Sequence, residues 1–252
     1  MLSKNKIKYI RSLDLKKNRN QERVFVAEGP KLVDELLPSF RCLFLAATRD
    51  FLDNRLIGRD TEVVEVNSEE LQKASFLKAP QEVLAVFEQP DYEIDLSIPE
   101  KELCLVLDDV QDPGNLGTIV RIADWFGIKH IFCSTATADI YNPKTIQATM
   151  GAVARVKLCY MPLMDLFHSL SKNINIFGTF LDGENIYSKE LSNTGLIVMG
   201  NEGNGISADV EQYVNQRLYI PNYPQGEKTS ESLNVAVATA VTCAEFRRRA
   251  ML

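Results

Sequence analysis

The sequence has few of the residues that mark secreted, metal-binding or membrane proteins. Two histidines and five scattered cysteines, none in C-x-x-C spacing, speak against a zinc site or a disulfide framework. No run approaches the ~18 apolar residues of a membrane helix. The charged N-terminus also lacks the apolar segment of a secretory signal. These absences predict a protein of the reducing cytoplasm, without metal and without a membrane segment.

Common nucleotide and hydrolase motifs are missing too. The sequence contains no G-x-x-x-x-G-K-[ST] phosphate loop and no G-x-S-x-G elbow, and the glycines of 200–205 have the wrong spacing for a dinucleotide turn. Three acids stand close together at Asp108, Asp109 and Asp112. They leave a Mg²⁺-dependent phosphotransferase open as an alternative, although acids before a helix also serve as caps.

The charge of the chain is unevenly distributed. Taken alone, a net charge of −6 counts against a nucleic-acid partner. Residues 1–31, however, hold nine basic groups and only three acids. A basic arm of this kind predicts contact with a polyanion, so that deleting residues 1–20 should abolish salt-sensitive RNA binding, while a solvated helical surface is the plainer alternative.

The apolar pattern predicts two domains of the α/β class. Residues 1–90 read as a small α/β unit, and the acidic, proline-containing stretch 91–100 reads as a linker. From 101 to 252, short apolar runs such as Leu103–Leu107 alternate with amphipathic stretches, for example the helix that stops at Gly127. This alternation predicts a mostly parallel sheet, whose active site lies in loops at the carboxyl ends of strands.

Three such loops carry polar motifs that are specific in combination. They read Asp-Pro-Gly-Asn-Leu-Gly-Thr-Ile-Val-Arg at 112–121, Met-Gly-Asn-Glu-Gly-Asn-Gly-Ile at 199–206 and Glu-Ser-Leu-Asn-Val-Ala-Val-Ala at 231–238. In order, placement and spacing they closely resemble the signature motifs of the SpoU (TrmH) family, which are RNA 2′-O-ribose methyltransferases of the SPOUT superfamily. The resemblance covers roughly residues 100–250, and residues 1–90 resemble the family's L30e-like substrate-binding domain.

The resemblance implies a fold and an assembly that periodicity alone does not predict. It implies a C-terminal SPOUT catalytic domain with a deep trefoil knot, an arrangement that is very rare among folds. It also implies a homodimer, in which motif 1 of one subunit meets motifs 2 and 3 of the other. The implied cofactor is S-adenosylmethionine, held in a bent form by backbone groups of Gly200, Ile220 and Leu233.

The resemblance further implies roles for five side chains, which are Asn115, Arg121, Glu202, Ser232 and Asn234. Arg121 matches the residue that engages the target nucleotide, and we expect it to orient the substrate because an arginine is a poor general base. Asn115 matches a residue supporting the methyl-transfer pocket, and Glu202 matches an acid that organises the site. Ser232 and Asn234 match polar groups beside the cofactor.

Each of these residues also has a purely structural interpretation. Asn115 and Ser232 are N-cap candidates, Glu202 suits a glycine turn, and Arg121 suits a surface ion pair. Lys144, Met150 and Gly151 resemble a family segment near the substrate, but they fit a structural helix and turn equally well. The stretch 222–231 is longer and more charged than the family's usual form, so access of substrate or cofactor is expected to differ there.

The expected function is therefore an S-adenosylmethionine-dependent RNA 2′-O-ribose methyltransferase acting on structured RNA. By analogy with the family, ribosomal RNA is favoured over tRNA as the substrate. The alternative is a non-catalytic RNA-binding or ribosome-assembly protein that uses the knotted domain as a scaffold. Neither the target nucleotide nor the proton acceptor follows from the sequence.

Overall fold

The computed structural model describes residues 1–53, 55–93, 95–224, 227, 230 and 232–250, which form two compact units. Unit 1 consists of Met1–Tyr92 together with Asp139–Ala154. Unit 2 consists of Glu93–Ala138 and the chain from Arg155 onward. The boundaries expected at 90 and 100 stay a prediction.

Unit 1 is built on a four-stranded sheet in the order β1-β4-β2-β3. Its strands are β1 (Val24–Glu28), β2 (Cys42–Ala47), β3 (Glu62–Glu65) and β4 (Val83–Glu88). Its helices are α1 (Lys4–Ser12), α2 (Lys16–Glu22), α3 (Pro30–Leu36), α4 (Arg49–Leu52), α5 (Ser68–Ala74) and α7 (Pro143–Thr149). Strand β4 is antiparallel to both β1 and β2, while β2 and β3 run parallel. Every residue of β1 is buried, which explains why this strand is almost wholly apolar.

The basic N-terminal segment is not the arm that its charge suggested. It folds into α1 and α2, and Ile10 and Leu13 are completely buried in the core of unit 1. Arg19 is only 1% exposed, and its guanidinium donates to the carbonyl oxygens of Leu13 and Asp14 at 2.8 and 2.7 Å. Deleting residues 1–20 would therefore remove part of a hydrophobic core, so the deletion expected above to test RNA binding would test folding instead.

Residues 139–154 lie apart in sequence from the rest of unit 1 but pack into it. Asp139 accepts a 2.6 Å hydrogen bond from the Arg19 guanidinium. Next to it, the ring of Tyr141 stacks on Phe25 with the centroids 5.1 Å apart, and burial raises the pKa of the Tyr141 hydroxyl. An ion pair and an aromatic stack therefore hold this segment in unit 1. Both contacts join residues that are far apart in sequence, so a local sequence pattern does not predict them.

Unit 2 contains a six-stranded sheet in the order β10-β8-β9-β5-β6-β7, in which every neighbouring pair is parallel. Its strands are β5 (Leu103–Leu107), β6 (His130–Cys133), β7 (Lys157–Tyr160), β8 (Ile176–Asn185), β9 (Gly195–Met199) and β10 (Gln216–Tyr219). Its helices are α6 (Pro113–Trp125), α8 (Leu163–Ser169), α9 (Ala208–Glu211) and α10 (Val235–Ala250). The predicted α/β class with a mostly parallel sheet is confirmed, while the knot stays an implication of the resemblance.

Helices α2, α4 and α5 and the end of strand β8 differ from the sequence-based prediction. Helix α2 was not predicted, because Lys16–Glu22 is polar throughout and has no apolar stripe. Residues 174–180 predict a strand that ends at Phe180. Strand β8 instead continues to Asn185, through a polar stretch that pairs with β10 across a register shift. None of the helices in the described part of the chain combines the length and apolarity needed to cross a membrane.

Candidate active site

Helix α6 begins directly after the loop that follows the central strand β5. Asp112 is its N-cap, because the carboxylate accepts a 2.8 Å hydrogen bond from the N–H of Asn115, and Pro113 occupies the first turn. The capping interpretation of Asn115 is therefore wrong. Since Asp112 performs that task, the amide side chain of Asn115 is available for contacts with other loops.

The acids beside this cap fix neighbouring loops in place. Asp108 is 5% exposed and accepts a 2.7 Å hydrogen bond from the N–H of Ser207. Asp109 accepts a 2.6 Å bond from the hydroxyl of Ser134. Each acid of the cluster thus has a structural partner, and among the described residues no group of three or more metal-binding side chains occurs. The observations do not favour the phosphotransferase alternative.

The glycine-rich loop after β9 folds back on itself around Asn201. The backbones of Asn201 and Gly205 exchange two 2.9 Å hydrogen bonds, and the Asn201 side-chain oxygen accepts from the N–H groups of Gly203 and Asn204. The Asn201 amide also donates to the carbonyl oxygen of Asp109 at 2.8 Å. One asparagine therefore shapes the second motif and links it to the first.

A continuous hydrogen-bonded chain joins all three motifs within one molecule. Motif 1 therefore meets motifs 2 and 3 of its own subunit, whereas the resemblance implied those of a partner subunit. The Asn115 amide nitrogen donates to the carboxylate of Glu202 at 2.8 Å, and the Asn115 oxygen accepts from the amide nitrogen of Asn234 at 3.0 Å. Asn234 also caps α10, since its oxygen accepts from the N–H of Ala236 at 3.0 Å. Asn234, rather than Ser232, therefore provides this capping bond. The orientation of each amide is set by having both of its ends bonded.

A cavity of about 580 Å³ opens beside this hydrogen-bonded chain of Glu202, Asn115 and Asn234. Five of the predicted site residues line it, namely Gly200, Glu202, Ile220, Ser232 and Leu233. Its wall combines apolar side chains, carboxylates and the loop 200–205, and its size suits a small-molecule ligand. The roles assigned to these residues stay predictions.

Arg217 and Phe180 form a charged and aromatic edge of the same cavity. The Arg217 guanidinium lies 3.6 Å from the centroid of the Phe180 ring. It also donates to the carboxylates of Asp182 and Glu211, at 2.5 Å in each case. These hydrogen bonds raise the pKa of Arg217, and the one with Arg217 lowers the pKa of Asp182. The cavity therefore presents both charges and an aromatic face.

Arg121 stands outside this arrangement. It projects from the exposed side of α6, opposite the buried stripe that contains Leu116, Ile119 and Val120. In the part of the chain that the structure describes, it makes no hydrogen bond or ion pair. The surface-ion-pair interpretation of Arg121 consequently finds no partner there, and its guanidinium is available to a ligand.

Sequence reasoning missed three residues of the site. Asn201, Phe180 and Arg217 were not singled out, although Phe180 ends a predicted strand at the edge where ligands of parallel sheets bind. An asparagine between glycines is likewise a turn signal. Residues 225, 226, 228, 229 and 231 of the long third loop lie outside the described residues.

Comparison with known proteins decides the family. The model of the SpoU rRNA Methylase family matches residues 102–244, and the model of an MRM3-like substrate binding domain matches residues 4–85. The chain belongs to the SpoU rRNA methylase family. The first match includes all three motifs described above, and the predicted membership is confirmed.

Relatives and solved structures agree with this SpoU-family membership over the whole chain. A 23S rRNA (guanosine-2′-O)-methyltransferase, RlmP of Bacillus subtilis, is 30% identical over 250 residues and covers 96% of both chains. A Porphyromonas gingivalis structure assigned to the TrmH family of RNA methyltransferases has 43% identity, a TM-score of 0.89 and 99% coverage of both chains. An AdoMet-bound rRNA methyltransferase from Sinorhizobium meliloti has 28% identity and a TM-score of 0.85, with 99% and 96% coverage.

Proposed function

We propose that this protein is an S-adenosylmethionine-dependent methyltransferase that methylates the ribose 2′-hydroxyl of ribosomal RNA in the cytoplasm. The observation that carries the proposal is the Glu202–Asn115–Asn234 chain beside the cavity of unit 2, which unites three family motifs in one site. Family membership and the AdoMet-bound relative support the cofactor, and RlmP supports the RNA class. A non-catalytic scaffold has no need of such a hydrogen-bonded arrangement.

The cavity suits S-adenosylmethionine in size and chemistry. Its volume of about 580 Å³ lies within the range of small-molecule sites. Leu233 and Ile220 offer apolar surface for an adenine ring, while the carboxylates of Glu202 and Glu211 suit a ligand with sulfonium and ammonium cations. We assign Gly200, Ile220 and Leu233 as backbone partners of the cofactor. When bound, S-adenosylmethionine supplies a methyl group activated by its positive sulfur.

The protein's own task is then to position and orient the reacting groups. Asn115 holds the Glu202 carboxylate at the cavity edge, so its charge stays in one place without reorganisation. Arg121 carries only hydrogen-bond donors, so it binds and orients the phosphate and ribose of the target nucleotide and does not accept a proton. Ser232 adds a hydroxyl at the cavity wall.

Substituting Arg121 with alanine tests the assignment. We expect methyl transfer to rRNA to fall by a factor on the order of 100, because the nucleotide loses a charge-assisted hydrogen bond and its orientation. Calorimetric affinity for S-adenosylmethionine should stay unchanged, since Arg121 does not line the cavity. Transfer of a labelled methyl group to rRNA from cells lacking the gene measures the effect, and Lys129→Ala, an exposed cation elsewhere in unit 2, is the control.

Two results would contradict the proposal in different ways. If the unmodified protein failed to bind S-adenosylmethionine at millimolar concentration, the enzyme function would be excluded and the non-catalytic RNA-binding scaffold would remain. An rRNA whose 2′-O-methylation pattern does not change when the gene is removed would exclude ribosomal RNA as the substrate.

We also propose that the chain works as a homodimer. Trp125 on α6 is 84% exposed and Val237 on α10 is 50% exposed, and these two helices pack together. Large apolar side chains exposed on a pair of packed helices are typical of protein interfaces. A second copy of the chain is the partner that the family resemblance implies.

Sedimentation of the chain tests the dimer. The unmodified protein is expected to sediment at twice the mass of the chain at micromolar concentration. Trp125→Glu should raise the dimer dissociation constant at least about tenfold, because it places a charge in an apolar interface. Leu56→Glu, at a fully exposed position of unit 1, should change nothing. A monomeric wild-type protein would refute the proposal.

A further inference from the structure

Unit 1 contains a cavity that the proposed methyl transfer does not use. Its volume is about 550 Å³. It lies between residues 142–148, the end of β1 and the turn after α5. Its polar, charged and aromatic lining residues are Arg11, Asp14, Glu28, Phe76, Asn142, Lys144 and Gln147. The volume falls in the range of sites that enclose a small ligand or a nucleobase.

A buried carboxylate forms one wall of this cavity. Glu28 is 4% exposed, and its two oxygens accept hydrogen bonds from the Ser75 hydroxyl and, at 2.8 Å, from the N–H of Phe76. A carboxylate has about four acceptor sites, so each oxygen can accept one more bond. Burial raises the pKa of Glu28 against the effect of these two bonds and of the nearby Arg11. A desolvated carboxylate is costly to retain, and a further donor in the cavity would offset part of that cost.

An aromatic ring and two cations also line the cavity, together with the acid Asp14 and the amides of Asn142 and Gln147. The Arg11 guanidinium lies 5.3 Å from the centroid of the Phe76 ring and donates to the carbonyl oxygen of Ser75. Lys144 lines the cavity from α7. The cavity therefore offers an acceptor pair, a flat apolar surface and positive charge, which together match the edge, the face and the phosphate of a nucleotide.

The acceptor pair discriminates among the four bases. Guanine presents two adjacent donor groups, N1–H and the 2-amino group, on its Watson–Crick edge. Adenine and cytosine place a lone pair beside their amino group, and uracil flanks its single N–H with two carbonyl oxygens. Those lone pairs repel a carboxylate, whereas guanine can satisfy both of its oxygens at once.

We propose that this cavity binds an unpaired guanosine of the RNA substrate, with its Watson–Crick edge on Glu28, its ring against Phe76 and its phosphate near Arg11 and Lys144. The inference rests on the proposed function in one respect only, that RNA is the ligand. It concerns binding alone, so it can be measured without methyl transfer.

Hexaribonucleotide probes test the proposal on the unmodified protein. One probe is all adenosine, one carries a single central guanosine, and one carries inosine there, which lacks the 2-amino group. We expect the guanosine probe to bind about tenfold more tightly than the inosine probe, because one charge-assisted hydrogen bond is lost. Amide chemical shifts of Phe76, Leu77 and Gln147 should respond to guanosine.

Two substitutions separate base reading from phosphate binding. Glu28→Gln keeps the size of the side chain and should reduce the preference for guanosine over inosine to less than about threefold. Its control is Glu69→Gln, at an exposed position of α5. Lys144→Ala shortens an exposed side chain, so the fold should be retained. The substitution should weaken the binding of all three probes alike.

The outcomes distinguish this inference from the proposed function. Equal binding of the three probes by the unmodified protein would overturn the guanosine site. If a separate assay still showed methylation of rRNA, the proposed methyltransferase function would stand. Selective binding of the guanosine probe without any methylation of rRNA would instead support the site and refute the enzyme.

Discussion

Substitution of Gly200 by alanine is expected to lower the affinity for S-adenosylmethionine by a factor on the order of 100. A Cβ atom at this position would lie 2.2 Å from the carbonyl carbon of Gly205 and 2.3 Å from the nitrogen of Ile206. Both are backbone atoms, so the loop 200–205 must move. Losing two hydrogen bonds of about 1.5 kcal/mol each from the displaced backbone corresponds to that factor.

Gly203 provides a matched control in the same loop. A Cβ atom there meets only the side-chain oxygen of Asn201, at 3.5 Å, which is an ordinary contact. Gly203→Ala should therefore bind the cofactor as the unmodified protein does. Calorimetry measures both affinities, and circular dichroism checks that the fold is retained. A Gly200→Ala protein that binds the cofactor normally would show that this loop does not hold it.

Replacing Asn115 by alanine is expected to reduce the rate of methyl transfer by a factor on the order of 100. The change removes both hydrogen bonds of the central amide, so the carboxylate of Glu202 and the amide of Asn234 lose their fixed positions. Small misplacements of groups around a reacting centre have effects of this size. The turnover number should fall more than the cofactor affinity, because Asn115 does not line the cavity.

A double-mutant cycle distinguishes this positioning role from a general loss of stability. If Asn115 acts through Glu202, the Glu202→Ala and Asn115→Ala effects on rate should overlap, and the double variant should be little slower than the slower single variant. Thr118→Ala is the control, because Thr118 is exposed on the same helix and its hydroxyl donates to the carbonyl oxygen of Gly114 within that helix. Fully additive effects of the two substitutions would refute the link.

Much of unit 2 could be predicted because its signals are local. The apolar run Leu103–Leu107 is a strand buried along its whole length, as expected in a parallel sheet. The stripe on α6 is buried, and Gly127 follows the helix with a φ of 65°, as glycines at helix ends do. Motif order and spacing were sufficient to identify the family, which the comparisons confirm.

The sequence-based predictions were wrong where a charged or polar segment packs into the interior of the fold. Arg19 contributed to the count that suggested a basic arm, yet it lies in the interior and bonds to Asp139, which is 120 residues away in sequence. Burial of a charged residue depends on partners supplied by the fold, and composition does not reveal them. The basic N-terminal segment is in fact two helices, and the core of unit 1 includes Ile10 of the first helix and Leu13, which lies between the two.

By itself, the sequence determined the α/β class, the parallel order of the catalytic half and the family, because periodicity and motif spacing are properties of neighbouring residues. Only the tertiary structure decided which of the motif residues touch. Asn115 meets Glu202 across 87 residues and Asn234 across 119, since the strands that carry them end at the same edge of one sheet. The pocket around Glu28 likewise exists only because residues 142–148 fold back onto the unit formed by the first 92 residues.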